Sequence, residues 1–364
     1  MKRFLTLLCL VGLLVSCGTE TKKEQLPIVI AHRGCWLDDV VPENSLAAVG
    51  MAKRFGYTGI ECDVKYTADS VMVILHDGKL NRTARLAKDY SELKEPVHLK
   101  DLTFEELRRD YVLASADPTL RTPIPTLEEL LNECKKQGVL PMLHSEVWES
   151  YELAQKMMGD NWICFTVHDS LLREARKITN CLILMDPHKE KNQDVQFTME
   201  RLRKIGGKCG VSSMNRKLLT KEYCDSLRAN GFEIQSSIFQ TPHEVQAVRN
   251  GITILLTDFS MMPNELVDGY KNDHWSIKNK SLKVGEVAEN VWANQIEYGG
   301  LTVEVEFVGT IEVVMNGERT YTLTRTEPGK DYIGLRFLNK APSVKITAKE
   351  ESKLVDVNAT VYKF

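Results

Sequence analysis

IVIAHRG at residues 28–34, PENS at 42–45 and GIECDVKYTADSVMVILHD at 59–77 form the stretch that decides the fold. Each of its short apolar, β-branched runs ends in a residue able to do chemistry: His32, then Glu61 and Asp63, then His76. That arrangement is expected when successive parallel strands of an α/β barrel deliver their last side chains to one mouth.

Working outward, strand-like and helix-like segments alternate. A helix pattern at 43–55 follows the first strand, 28–31, and strands are expected at 59–64 and 71–75. The rhythm resumes at 126–136 and continues through strands at 139–143, 162–167, 182–185, 208–211, 232–235 and 253–256, with helices between them. No Gly-rich dinucleotide turn follows the first strand, so a closed TIM (β/α)8 barrel over 27–264 is expected rather than an open doubly wound sheet. The polar stretch 77–122 is too long for an ordinary loop and is expected to fold as a small insertion after strand 3, walling the pocket. Beyond 264 the period changes to two. Leu301, Val303, Val305 and Phe307 alternate with polar residues and Asn316-Gly317 makes a hairpin signal, so 270–364 reads as a separate all-β sandwich joined through 261–271. Trp275 and Trp292 are candidates for a glycan platform there, against the plainer reading of core or interface tryptophan.

The chain of 364 residues has ordinary hydrophobic (43%) and charged (27%) content, so it can bury a sizeable core. Its formal net charge of −3, with no basic run, argues against nucleic acid. Residues 1–17 combine Lys2 and Arg3 with an apolar run too short for a comfortable span, which reads as a signal segment. Leu14-Val15-Ser16-Cys17 resembles the bacterial lipobox, implying lipidation of Cys17, a polar tether over 18–26 and a lipid-anchored place in the bacterial cell envelope, periplasmic or outer-membrane. Seven further cysteines are scattered without a C-x-x-C pair and read as small buried hydrophobes.

Glu61 and Asp63 lie two apart on a strand, so their carboxylates share a face and repel unless a cation sits between them. With only carboxylates nearby, Ca2+ or Mg2+ fits better than zinc. Two histidines flanking such an ion suit displacement at phosphorus, one taking a proton and the other giving one, with Arg33 as a planar cation for the phosphate. His168, His188 and His243 lie near strand-to-helix connections and read as solvated loop histidines.

With these residues in place, the chain resembles the glycerophosphodiester phosphodiesterase family. The family's His-Arg, Glu-x-Asp and His-Asp stand here as His32-Arg33, Glu61-Cys62-Asp63 and His76-Asp77, supported by Gly34, Pro42-Glu43-Asn44, Asn81-Arg82-Thr83 and Thr257-Asp258. The resemblance covers roughly 28–263. It implies a divalent metal and hydrolysis of small-molecule glycerophosphodiesters to glycerol 3-phosphate and an alcohol, with His32 and His76 as general acid and base and Glu61 and Asp63 on the metal. The family's third metal carboxylate opens a Glu-x-Lys; read onto 142–148, this makes Glu146 the ligand and puts Trp148 where the lysine would be. Trp148 and His144 are therefore candidate pocket residues, His144 also a candidate ligand, and the substrate choice is expected to depend on them. Asp258 reads as a supporting residue near the mouth. Alternative readings are a related phosphodiesterase acting on another lipid-head-group or sugar diester, and a non-catalytic glycan- or partner-binding lipoprotein.

Overall fold

A computed structural model describes residues 26–37, 40–215, 217–238, 244–258 and 273–363. The signal segment, Cys17, most of the tether, His243 and the joining segment 261–271 lie outside the described residues.

The chain runs β1 Ile28–Ala31, α1 Leu46–Arg54, β2 Gly59–Tyr66 and β3 Met72–Ile74, then the small pair β4 Ala84–Leu86 and β5 Tyr111–Leu113 with α2 Phe104–Asp110 between them. There follow α3 Leu127–Gln137, β6 Leu140–His144, α4 Trp148–Met158, β7 Ile163–Thr166, α5 Asp169–Ala175, β8 Leu182–Met185, α6 Val195–Ile205, β9 Cys209–Ser213, α7 Lys221–Ala229, β10 Glu233–Ile238, α8 Glu244–Asn250 and β11 Ile254–Thr257. Eight parallel strands, in the order β1-β11-β10-β9-β8-β7-β6-β2, close through β1–β2 pairing into a TIM barrel. Strand alternation divides the core in two. Ile30, Met142, Ile163, Leu184 and Ile254 fill the barrel, while Val29, Leu143, Ile183 and Leu255 pack outward on the helices. Local chemistry agrees with the fold: Ser45 caps α1 by accepting from the Ala48 amide, and Thr126 and Glu129 form a reciprocal capping box on α3.

One expected barrel strand is something else. β3 runs antiparallel to the outer half of β2, pairing Val64 with Ile74 and Tyr66 with Met72, so the run at 71–75 is not a barrel strand. β2 overshoots the barrel rim and β3 returns the chain to it. The reason is physical: Thr67, Asp69 and Ser70 make a tight turn, with the Thr67 hydroxyl bonding Asp69 and Val71, and a tight turn can only join antiparallel strands. The 77–122 insertion has its own small core of Leu80, Ala84, Leu99, Leu107 and Leu113.

The C-terminal region consists of β12 Asp273–Leu282, β13 Val287–Val291, β14 Ile296–Met315, β15 Arg319–Lys340, β16 Ser343–Ala348 and β17 Ser352–Lys363. Its strands are hydrogen-bonded into one connected antiparallel sheet. The long β14 pairs with β17 over its first half and β16 over its second, with bulges between. Gly309, at φ +104°, sits at one of these; a side chain there would meet Ser352 Oγ at 2.5 Å. Both halves of the sheet share one core containing Val303, Phe307, Ile311, Ile346 and Val357, and Trp275 and Trp292 pack against it, partly buried. This β-domain lies against the barrel. Tyr298, Tyr362, Tyr332 and Leu338 join the outer barrel core, and the Tyr321 hydroxyl donates to the Arg54 carbonyl at 2.9 Å.

Candidate active site

Three strand ends bring the first residues together. β1 ends at Ala31, and the His32 amide donates to the Thr257 carbonyl of β11 at 2.9 Å. The next two residues turn sharply: Arg33 has φ +57° and Gly34 φ +78°, and a side chain at Gly34 would come within 2.6 Å of Ala48 Cβ. A left-handed arginine is strained by about 1 kcal/mol. The strain has a visible return, because it aims the Arg33 amide at Glu61 Oε2, 3.0 Å away. Asn44, also left-handed at φ +52°, gives its amide to the Arg33 carbonyl and its side-chain Nδ2 to Asp63 Oδ2 at 3.1 Å.

Glu61 and Asp63 face the mouth from β2, only 2% and 6% exposed. Burial first, then the Asp63 charge, pushes the Glu61 carboxyl well above the usual carboxylate range. Burial also works on Asp63, but hydrogen bonds from His144 and Asn44 outweigh it and hold that carboxyl low. Asp63 pairs in register with His144 at the end of β6. His144 Nδ1 lies 3.4 Å from Asp63 Oδ1 and 3.7 Å from Glu61 Oε1, and one ligand atom from each of the three residues falls within 4.8 Å of the others. Among the described residues, no lysine or arginine side-chain nitrogen lies within 4.0 Å of either carboxylate.

His32 and His76 flank this group, each held by an acid. Asp258 Oδ1 accepts from His32 Nδ1 at 2.5 Å, and His32 Nε2 faces Glu61 Oε2 at 3.9 Å. Asp77 Oδ1 lies 2.7 Å from His76 Nδ1. The Arg82 hydrogen bond, more than burial opposes it, holds the Asp77 carboxyl down at about 2. Arg82 also makes a two-pronged pair with Glu43, at 2.7 and 2.8 Å, and Arg33 reaches the same carboxylate at 3.3 Å. Among the described residues the buried Arg33 Nε has no hydrogen-bond partner, so the guanidinium is only partly committed. Beside this network lies a pocket of about 170 Å3, lined by Trp36, Pro42, Glu43 and, from the insertion, Arg82, Thr83 and Arg85 among others.

Two expectations are corrected. Glu146, expected as the third metal carboxylate, stands apart from Glu61 and Asp63; its side chain is 63% exposed and bonds His168 Nε2 at 2.9 Å. The strand pairing puts His144, not Glu146, beside Asp63. Trp148, expected as a pocket residue, instead opens α4 and packs edge-on to Tyr151, centroids 6.1 Å apart, against the outer core. His188 is a loop residue bonded to Ser213 Oγ at 2.7 Å. Sequence reasoning missed Glu43 as the brace joining Arg33 to Arg82, although PENS and NRT were both visible motifs.

Comparison with known proteins bears on this arrangement. Residues 32–182 match the model of the glycerophosphoryl diester phosphodiesterase family. Glycerophosphodiester phosphodiesterase 1 of Mus musculus is 39% identical over 115 residues, 30% of this chain and 31% of that protein. A glycerophosphodiester phosphodiesterase of Bacillus altitudinis is 38% identical over 104 residues, 28% of this chain and 38% of that one. The chain thus spans about a third of the length of these curated relatives. In three dimensions the barrel is similar to an Oleispira antarctica phosphodiesterase in complex with the product sn-glycerol-3-phosphate, with a TM-score of 0.51, 18% identity and coverage of 65% of this chain and 94% of that one. At that identity the likeness speaks for the fold. Residues 32–182 are thus similar in sequence to the glycerophosphoryl diester phosphodiesterase family, and the barrel fold agrees with that likeness.

Proposed function

We propose that this protein is a metal-dependent phosphodiesterase that hydrolyses glycerophosphodiesters to glycerol 3-phosphate and an alcohol. The observation that carries the reading is the pair of acid-braced histidines, His32 with Asp258 and His76 with Asp77, on either side of two buried carboxylates that no lysine or arginine side-chain nitrogen approaches within 4.0 Å among the described residues. The site of the metal is Glu61, Asp63 and His144, and the donor set fits: hard oxygens suit Ca2+ or Mg2+, while the imidazole brings Mn2+ and Zn2+ into range. When bound, the ion would polarise the phosphoryl oxygens and offset the charge that builds up in displacement.

The rest falls to side chains. Asp258 holding His32 by Nδ1, and Asp77 holding His76 likewise, leave Nε2 of each ring as the nitrogen that exchanges a proton with substrate. One ring takes a proton from the attacking water and the other protonates the departing alkoxide. Arg33, steadied by Glu43, supplies a planar cation for the phosphate oxygens. Glu146, exposed at the mouth beside His168, puts negative charge there, which favours an alcohol carrying an ammonium group such as choline or ethanolamine. We place the enzyme at the bacterial cell envelope, tethered through lipid on Cys17, on the strength of the lipobox-like Leu14–Cys17 sequence.

The test is turnover of glycerophosphocholine, glycerophosphoethanolamine and glycerophosphoinositol by the purified protein with Ca2+, Mg2+, Mn2+ or chelator. Release of glycerol 3-phosphate that chelator abolishes, fastest with the two ammonium-bearing diesters, is the expected result. Absence of release from every diester with every ion overturns the reading.

A further inference from the structure

The carboxylate of Glu244, at the start of α8, is fully buried on the outer side of the barrel, and its counter-charge comes from the β-domain. Arg336 of β15 donates Nε to Oε2 and Nη2 to Oε1, both at 3.0 Å, and the Tyr298 hydroxyl of β14 donates to Oε2 at 3.0 Å. The guanidinium also lies over the Tyr57 ring, 5.1 Å from its centroid. A charged pair this dry is unlike the wet, polar contact between independently moving domains.

The same carboxylate touches the strand that seats His32. The Thr257 hydroxyl donates to Glu244 Oε1 in a long 3.4 Å bond. Thr257 ends β11, and strand alternation sends its side chain outward to α8 while the next residue, Asp258, turns inward to His32 Nδ1. The Thr257 carbonyl also receives the His32 amide. Backbone and ring of His32 are thus both held by residues 257 and 258, whose outer side rests on Glu244 and, across the seam, on Arg336.

We infer that the β-domain is a positioning element for the active site, with Arg336, Glu244 and Thr257 forming a chain of contacts that sets the seat of His32. This rests on His32 being a proton-transfer group, as proposed above. Its test uses the full chain, glycerophosphocholine as substrate and Mn2+ as the ion. Thr257→Val removes the hydroxyl while keeping the ion pair; Arg336→Met removes the pair. Thr257→Val is expected to lower kcat about tenfold with KM within about twofold, Thr257→Ser to restore it, and Arg336→Met to lower kcat further. The His32 ring-nitrogen resonance in 15N-histidine spectra should move in Thr257→Val and Arg336→Met, at unchanged pH, and return in Thr257→Ser. Parental kcat per folded molecule together with a parental His32 resonance in both variants overturns the inference. His32→Ala separates the two claims: if it keeps parental turnover the acid–base reading falls, and the resonance shift alone then decides for or against the positioning role.

Discussion

Two of the places where the protein buries carboxylates are treated in opposite ways. At the seam between barrel and β-domain, Glu244 meets Arg336 in a two-pronged pair, with a tyrosine and a threonine hydroxyl completing the shell. At the barrel mouth, Glu61 and Asp63 are as deeply set but receive one backbone amide, one asparagine and a histidine at 3.4 Å, while facing each other on one strand. Burying a charge costs several kcal/mol unless it is matched. The seam is matched from within and reads as architecture. The mouth is not, and Glu61 shows the strain by being pushed toward its neutral form. What tells a functional acid from a structural one here is the missing partner, not the depth of burial.

That contrast can be broken by experiment, the largest effect first. His32→Ala and His76→Ala should each lower turnover of glycerophosphocholine by about 10²–10⁴-fold with melting temperature nearly unchanged, since both rings sit at the rim rather than in a core. A fall in melting temperature matching the loss of turnover would make them structural. At the seam the order should reverse. Arg336→Met leaves Glu244 buried without its cation and should destabilise the fold by about 3–5 kcal/mol in urea unfolding, whereas Glu244→Gln with Arg336→Met should recover most of that. A double variant no more stable than the single one would mean that packing, not charge matching, holds the seam.

Metal ligation sharpens the reading of β6. His144→Ala should weaken Mn2+ binding by at least about tenfold, as removal of a ligand does, while Glu146→Ala leaves it within about twofold. The reverse ranking would return the third position to Glu146. The smallest effect concerns acid. Asp77 has a folded-state carboxyl held at about 2, chiefly by Arg82, below the unfolded value near about 4. Its bond to Arg82 therefore contributes fully above about pH 4 and is lost as pH falls through about 2. Carbon-detected NMR titration should show Asp77 moving toward the ordinary carboxylate range in Arg82→Met; an unmoved midpoint would assign the depression elsewhere.

Much of this was legible in the sequence, and the failures have physical causes. The strand ends carrying His32, Glu61 and Asp63 could be read because β-branched runs, a capped helix and a period of two all agree there. The direction of β3 could not, since an apolar run does not state which way its chain travels; the turn at Thr67–Ser70 held that information. The candidate ligand after Met142 fell on Glu146 in the sequence because a period of two cannot choose between positions two apart; pairing with Asp63 favours His144. The Glu244–Arg336 pair was invisible because 92 residues separate its members and no local pattern points from one to the other.

The functional reading turns on Glu61, Asp63 and His144 as a metal site. Calorimetric titration of Mn2+ into chelator-stripped protein tests it most directly, alongside Asp63→Asn. One ion bound per chain, with binding lost in Asp63→Asn, is the result this account requires. No binding, or binding unchanged in that variant, would contradict it.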